Sequence, residues 1–159
     1  KMRFGEDIDF SIRIFKAGCK CRLFPEAWVW HKRRTDFRKF FRQVYNSGIA
    51  RINLYKKYPE SLKAVHLLPL ATSLLCPNHT AAAIGSVICA ITPAPILLYT
   101  LLICADSTRQ NRSLKIGVLS VYAAFVQLMG YGFGFLSAWW KRCVLGKDEF
   151  SAFEKTFYK

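Results

Sequence analysis

The sequence predicts a short mixed α/β segment followed by α-helical transmembrane structure. Two observations carry that expectation. Charge is distributed very unevenly: residues 1–60 hold 15 Lys/Arg against 6 Asp/Glu, residues 61–104 hold one charged residue, Lys63, and residues 105–159 hold 8 basic and 4 acidic. Within the last part, Ile116–Trp140 is an uncharged run of 25 residues. At ~1.5 Å per residue such a helix exceeds the ~30 Å hydrocarbon thickness of a bilayer. The chain is therefore read as a membrane protein with three parts: 1–60, 61–140 and a tail, 141–159.

The first element is "GEDIDFSIRIFKAG", Gly5–Gly18, where Ile8, Ile12 and Phe15 recur at helical spacing and Gly18 stands where a left-handed C-cap ends a helix. Its start gathers Glu6, Asp7 and Asp9 in a chain of net charge +14. Free N–H groups and the helix macrodipole favour acids there. A catalytic base that removes a proton from a hydroxyl also needs a carboxylate fixed at the start of a rigid element. Capping and catalysis both remain open on pattern alone. Asp9 follows Asp7 by ~200° around a helix of ~3.6 residues per turn, so the two face different ways, and Asp9 is assigned a structural role.

Next, Cys21–Phe24 and Ala27–Trp30 read as two short extended segments of β-favouring residues separated by Pro25. "RTDFRKFFRQVYNSGIARINLYKKYP" then reads as a long helix, with Thr35 or Asp36 as N-cap and Pro59 beyond its end. Phe37, Phe41, Val44, Gly48, Ile52 and Tyr55 mark one face, and Arg38, Arg42 and Lys56 the other. That pattern suits a helix lying along a membrane interface and equally a solvated charged face.

In the apolar region Leu114–Trp140 is the expected span, closed by Trp139 and Trp140 and then by Lys141 and Arg142, an aromatic anchor with snorkelling cations. Ala81–Cys104 is long enough for a second. Leu62–Cys76 contains Pro69 and reaches only ~22 Å, so it either forms a third span with a turn near Thr92–Pro95 or lies at the interface. Two or three spans are both compatible with the distribution of Lys and Arg in the loops. Gly130, Gly132 and Gly134 in "GYGFGF" favour close helix packing rather than nucleotide binding. The tail "KDEFSAFEKTFYK" places Phe150, Phe153 and Phe157 at the spacing of a short amphipathic helix.

Six scattered cysteines make no disulfide framework, and Cys19-x-Cys21 lacks the second pair that a zinc site needs. No apolar targeting run precedes the acidic helix, and the first residue is Lys, so the chain is expected to be the C-terminal part of a longer protein, with Met2 as the alternative start. The six cations of "KRRTDFRKFFR" could serve nucleic acid, but the interleaved Phe residues fit core or membrane contact better, and no nucleic-acid partner is expected.

The order of acidic cluster, helix, Gly, short strand pair, His, basic helix and membrane spans, over "GEDIDFSIRIFKAGCKCRLFPEAWVWHKRRTDFRKFFRQVYNSGIAR", resembles the C-terminal part of the catalytic domain of membrane-anchored family 2 glycosyltransferases. The likeness runs over roughly Gly5–Pro59, and the "GYGFGFLSAWWKR" and "LGKDEFSAFEKTFY" segments resemble bacterial members. It implies an α/β C-terminal remnant of a GT-A domain followed by transmembrane helices at the cytoplasmic (inner) membrane, multi-pass, with the catalytic part facing the cytoplasm. It implies inverting transfer from a nucleotide-sugar donor to a lipid-linked or cell-envelope glycan acceptor, with Asp7 as the base and Glu6 as its neighbour in acceptor binding. By the same resemblance His31 lies near the donor diphosphate and a divalent metal, Mg or Mn; its residue-level alternative is a strand-end histidine bonded to backbone. Arg34, with Lys32 and Arg33, suits neutralisation of the leaving diphosphate, where charge builds, and equally attraction of anionic lipid headgroups. Gln43 and Arg51 resemble parts of the Gln-Arg-Trp element of processive members, but no Trp follows Arg51, so processive synthesis is not implied. The family's Asp-x-Asp and nucleotide-binding half are expected to precede residue 1, and this segment alone is expected to be inactive. The competing expectation is a non-catalytic membrane tether that binds anionic lipid or a partner helix.

Overall fold

A computed structural model describes residues 4–30, 36–69 and 93–153. Among these residues the chain is helical, and no strand forms. The elements are α1 (Glu6–Lys16), α2 (Phe37–Lys57), two 3-10 turns (Pro59–Ser61 and Ala64–Leu67), α3 (Pro93–Asn111) and α4 (Leu114–Trp139), which runs on through a π turn, Trp140–Val144. This overturns the expected α/β remnant of a GT-A domain. A strand needs a partner to satisfy its backbone N–H and C=O groups, and nothing in the described chain offers one to Cys21–Phe24 or Ala27–Trp30. Phe24–Ala27 instead closes a turn, with the Ala27 N–H donating to the Phe24 carbonyl at 3.1 Å. Beyond it Val29 and Trp30 stand 86% and 92% exposed. The preference for extended backbone is present, but the sheet it would join is not.

α1 begins at Gly5, whose φ of 78° is left-handed. A Cβ there would lie 3.2 Å from Ala50 Cβ and 3.3 Å from Leu54 Cδ1, so glycine lets the helix start seat directly on α2. The helix ends as its sequence predicts: Gly18 has φ 76° and donates to the Phe15 carbonyl, and the Cys19 N–H reaches Ile14 O. α2 is capped by Asp36, whose Oδ1 accepts the Arg38 N–H at 2.8 Å, and it stops before Pro59. Val44, Gly48 and Ile52 are buried as the periodicity requires, but the covered face also takes in Asn46, Ile49, Ala50, Asn53 and Leu54.

The wider burial has three sources: the start of α1 covers Ala50 and Leu54, the tail engages Asn46 and Asn53, and α4 covers the rest. Gly48 of α2 faces the Tyr131 carbonyl and Phe135 backbone of α4, Gly134 faces the Tyr45 carbonyl, and Gly130 faces the Phe41 ring. Because the contacts advance together, from Phe37 on Tyr122 to Tyr45 on Gly134, the two helices run parallel. Ile49, Ile52, Phe135 and Ala138 form the core between them. The glycines thus act as small residues that allow close helix approach.

α3 and α4 form an antiparallel hairpin through Arg112, at φ 51°, and Ser113. Gly117 faces Thr108 and Cys104, and the Ser107 and Ser120 hydroxyls share a 2.7 Å hydrogen bond. Of the expected span Ala81–Cys104, the portion before residue 93 lies outside the described residues. The rest belongs to α3, which continues seven residues past Cys104, supported by Gln110 donating to Asp106 at 2.8 Å. Leu62–Cys76 is described only to Pro69. Among the described residues one helix, Leu114–Val144, is long and apolar enough to cross a membrane.

The described part of the tail, 147–153, is not helical. It lies against α2 because Asn46 and Asn53, two turns apart on one face, take its backbone groups. The Ala152 N–H donates to Asn46 Oδ1 at 2.8 Å, and Asn53 Nδ2 donates to the Phe150 carbonyl at 3.2 Å. Phe153 packs on the Tyr45 ring and under the Arg42 guanidinium. Fixed backbone partners hold the segment out of the amphipathic helix that Phe spacing alone suggests. Asn46→Ala removes one clamp and is expected to cost about 0.5–1.5 kcal/mol, seen as faster hydrogen exchange at Ala152 while the α2 amides stay protected.

Candidate functional site

The three acids at the start of α1 have separate fates. No side chain caps the helix, so the acids meet its N-terminus only through the dipole. Asp9 is 8% exposed and is bridged on two sides, by Lys57 Nζ at 2.6 Å and by Arg13 Nε at 3.2 Å. The Lys57 pair ties α1 to the last turn of α2, and the Arg13 pair, one turn on, lies within α1. A second tie, Lys16 Nζ to Glu60 at 2.7 Å, fixes the other end of α1. The hydrogen bond from Lys57 is the main reason the Asp9 carboxyl titrates below its ordinary value of 3.8, and Lys57 is raised above 10.5 chiefly by the same bond.

The linkage has a definite sign. A lowered carboxylate stabilises the fold at pH above its unfolded value and loses that stabilisation as pH falls through the folded value. A raised ammonium does so below its unfolded value and loses it as pH rises through the folded one. The α1–α2 tie is therefore expected at full strength between pH 5 and pH 9 (about one unit inside the two ordinary values). Acid unfolding should begin at higher pH in a Lys57→Met variant; an unchanged acid limb in far-ultraviolet circular dichroism would remove the tie from the fold.

Asp7 and Glu6 point elsewhere and are exposed. Among the described residues neither carboxylate forms an ion pair or hydrogen bond; Ser11 Oγ donates to the Asp7 main-chain carbonyl, not to its side chain. Asp7 lines a cavity of about 150 Å³ together with Gly5, Ile8, Ser47, Arg51, Leu54 and Tyr131. Three helices meet there: α1 brings the acid, α2 the guanidinium and the Ser47 hydroxyl one turn earlier, and α4 the phenol. Arg51 and Tyr131 lie against one another, close enough for the guanidinium to meet the phenol oxygen, and Arg51 Nε is buried with no partner of its own among the described residues.

Of the residues singled out from sequence, Asp7 and Arg51 are thus brought together. Glu6, on the same turn as Asp7, does not line the cavity, and neither does Gln43, which is exposed two turns before Arg51. His31 and Arg34, with Lys32 and Arg33, lie outside the described residues. Among the described residues no three His, Cys, Asp or Glu side chains gather as a metal-ligating group.

Sequence reasoning missed Ser47 and Tyr131. Ser47 precedes Arg51 by four residues and so shares its helix face, a signal that was present. Tyr131 is a phenol flanked by glycines within an apolar run. Its pairing with Arg51 depends on the contact between α2 and α4. His66, near Arg51, is held neutral: burial, then the charges of Arg51 and Lys63, depress it below 6.5, and its Nδ1 accepts the Lys63 N–H at 3.0 Å.

Comparison with family models, with curated proteins and with solved structures gives no match. The reading of the site rests on its own geometry and on the likeness in sequence.

Proposed function

We propose that this chain supplies the acceptor base and the membrane anchor of an inverting sugar transferase, acting on a lipid-linked or envelope glycan acceptor at the inner face of a bacterial cytoplasmic membrane. One observation carries the reading: the carboxylate of Asp7, with no ion pair or hydrogen bond among the described residues, lines a cavity together with the Arg51 guanidinium and the Tyr131 phenol. A general base needs a carboxylate free to take a proton, held on a rigid element within reach of the hydroxyl. Asp7 meets the first two requirements and Asp9, committed to Lys57, does not.

In the proposed step the acceptor hydroxyl gives its proton to Asp7 as its oxygen bonds to the anomeric carbon. The bond from that carbon to the nucleoside diphosphate breaks on the opposite face, and the electron pair leaves with the diphosphate. Arg51 and Tyr131 donate to oxygens of the bound acceptor and fix which hydroxyl meets Asp7. The donor is a nucleotide sugar held by residues other than those lining this cavity. The anchor is the helix Leu114–Val144, with further spans belonging to the same proposal.

The test is sugar transfer to crude lipid extract by membranes containing the complete gene product, supplied with a panel of nucleotide sugars. Transfer that vanishes in Asp7→Asn supports the reading. Transfer that survives unchanged removes Asp7 as the base. No transfer from any donor by folded, inserted protein moves the assignment to a non-catalytic tether.

A further inference from the structure

A second cavity lies beside the first. It measures about 370 Å³ and is almost wholly apolar, walled by Leu68 after the second 3-10 turn, Ile96 and Tyr99 from α3, and Phe125, Leu128 and Met129 from α4. That volume falls within the ~300–1,000 Å³ of small-molecule sites. Its position is the informative feature. Leu128 precedes Tyr131 by three residues, which places the two side chains ~4.5 Å apart along α4 and ~60° apart around it. The polar cavity of Asp7, Arg51 and Tyr131 and the apolar cavity therefore come nearest on α4 at Tyr131 and Leu128, while Phe125 and Met129 line the apolar one ~120° and ~160° around the helix from Tyr131. That helix is the one long and apolar enough to cross a membrane.

Polar and apolar chambers in this relation match an amphiphile. The geometry points to a bipartite lipid site, in which a single hydrocarbon chain fills the cavity between α3 and α4 and a phosphate-bearing head lies against Arg51 and Tyr131. Arg51 Nε, buried without a partner among the described residues, and the Tyr131 hydroxyl beside it are donors suited to acceptor oxygens. A guanidinium is the side chain best matched to phosphate. The chain enters from the bilayer side of α4, so the ligand reaches the site without leaving the membrane. The inference rests on the transferase reading only in naming this lipid as the acceptor whose head carries the hydroxyl presented to Asp7; the binding site stands on the two cavities alone.

The experiment uses the full chain in phosphatidylcholine nanodiscs with a lysophosphatidic acid whose tail ends in a diazirine, photolysed and mapped by peptide mass spectrometry. Label is expected on Phe125–Met129 and Ile96–Tyr99. Leu128→Trp and Tyr99→Trp fill the chamber from opposite helices, and each should cut that label about tenfold, the size of effect expected when a chain loses its pocket. Dodecyl phosphate should compete and inorganic phosphate should not, and Arg51→Gln should weaken the competition about tenfold. Label spread over the exposed positions Leu119, Phe133 and Leu136, indifferent to both Trp variants, would overturn the site. Two readouts separate the claims. Specific label without sugar transfer by the complete gene product keeps the lipid site and retires the transferase reading, and transfer undiminished in both folded Trp variants retires this lipid as the acceptor alone.

Discussion

Gly134→Ala is expected to destabilise the protein by about 1–3 kcal/mol, the usual cost of forcing extra volume into a packed contact. The new Cβ would meet the Tyr45 carbonyl and stand 2.8 Å from the Tyr45 carbonyl carbon, all backbone atoms of α2. No rotamer change can make room, because a backbone carbonyl moves only with its helix. Gly48 sits in the same seam, 2.7 Å from the Phe135 backbone nitrogen by the same construction, so Gly48→Ala should behave alike. Intrinsic propensity runs the other way, since Ala is favoured over Gly in a helix interior by ~1 kcal/mol. The observed sign thus discriminates packing from propensity. Phe133→Ala, at an exposed position one residue away, should stay within ~0.5 kcal/mol. Denaturant titration in detergent micelles reads all three, and a Gly134→Ala protein more stable than the parent would dissolve the α2–α4 contact as described.

The second large effect separates two acids two residues apart. In the complete gene product, Asp7→Asn should lower sugar transfer by about 10²–10⁴-fold, the range of a lost general base, while leaving the unfolding curve unmoved because Asp7 makes no tertiary ion pair among the described residues. Asp9→Asn should do the reverse. It breaks the bridge to Lys57 and loosens the seat of α1 on α2, so stability falls, whereas transfer per folded molecule is retained. If Asp9→Asn proved the more damaging to transfer at equal folded concentration, the roles drawn from the geometry would have to be exchanged.

The extents of α1, α2 and α4 were legible in the residues themselves, and for local reasons. Gly18 and Pro59 stop helices through backbone rules that act over a few residues, Asp36 caps through its own side chain, and the uncharged run from Ile116 makes a long apolar helix whatever surrounds it. The strand pair was misread for a related reason: extended preference is local, but a strand exists only when another segment completes its ladder, and Leu23–Trp30 finds none in the described chain. The described part of the tail was misread because Phe periodicity says nothing about Asn46 and Asn53, which claim its backbone from 106 and 97 residues away, respectively.

The site divides along the same line. By itself the sequence determined that carboxylates stand at the first turn of α1, that Ser47 and Arg51 share one face of α2, and that glycines open α4 to a neighbour. Only the tertiary structure decided which neighbour that is, which acid is spent on Lys57 and which is left free, and that Arg51 meets Tyr131 of the apolar helix. Helix-forming and capping energies act within a turn or two of the chain. Pairing a carboxylate with a lysine 48 residues on depends instead on how two helices pack, which no local pattern specifies.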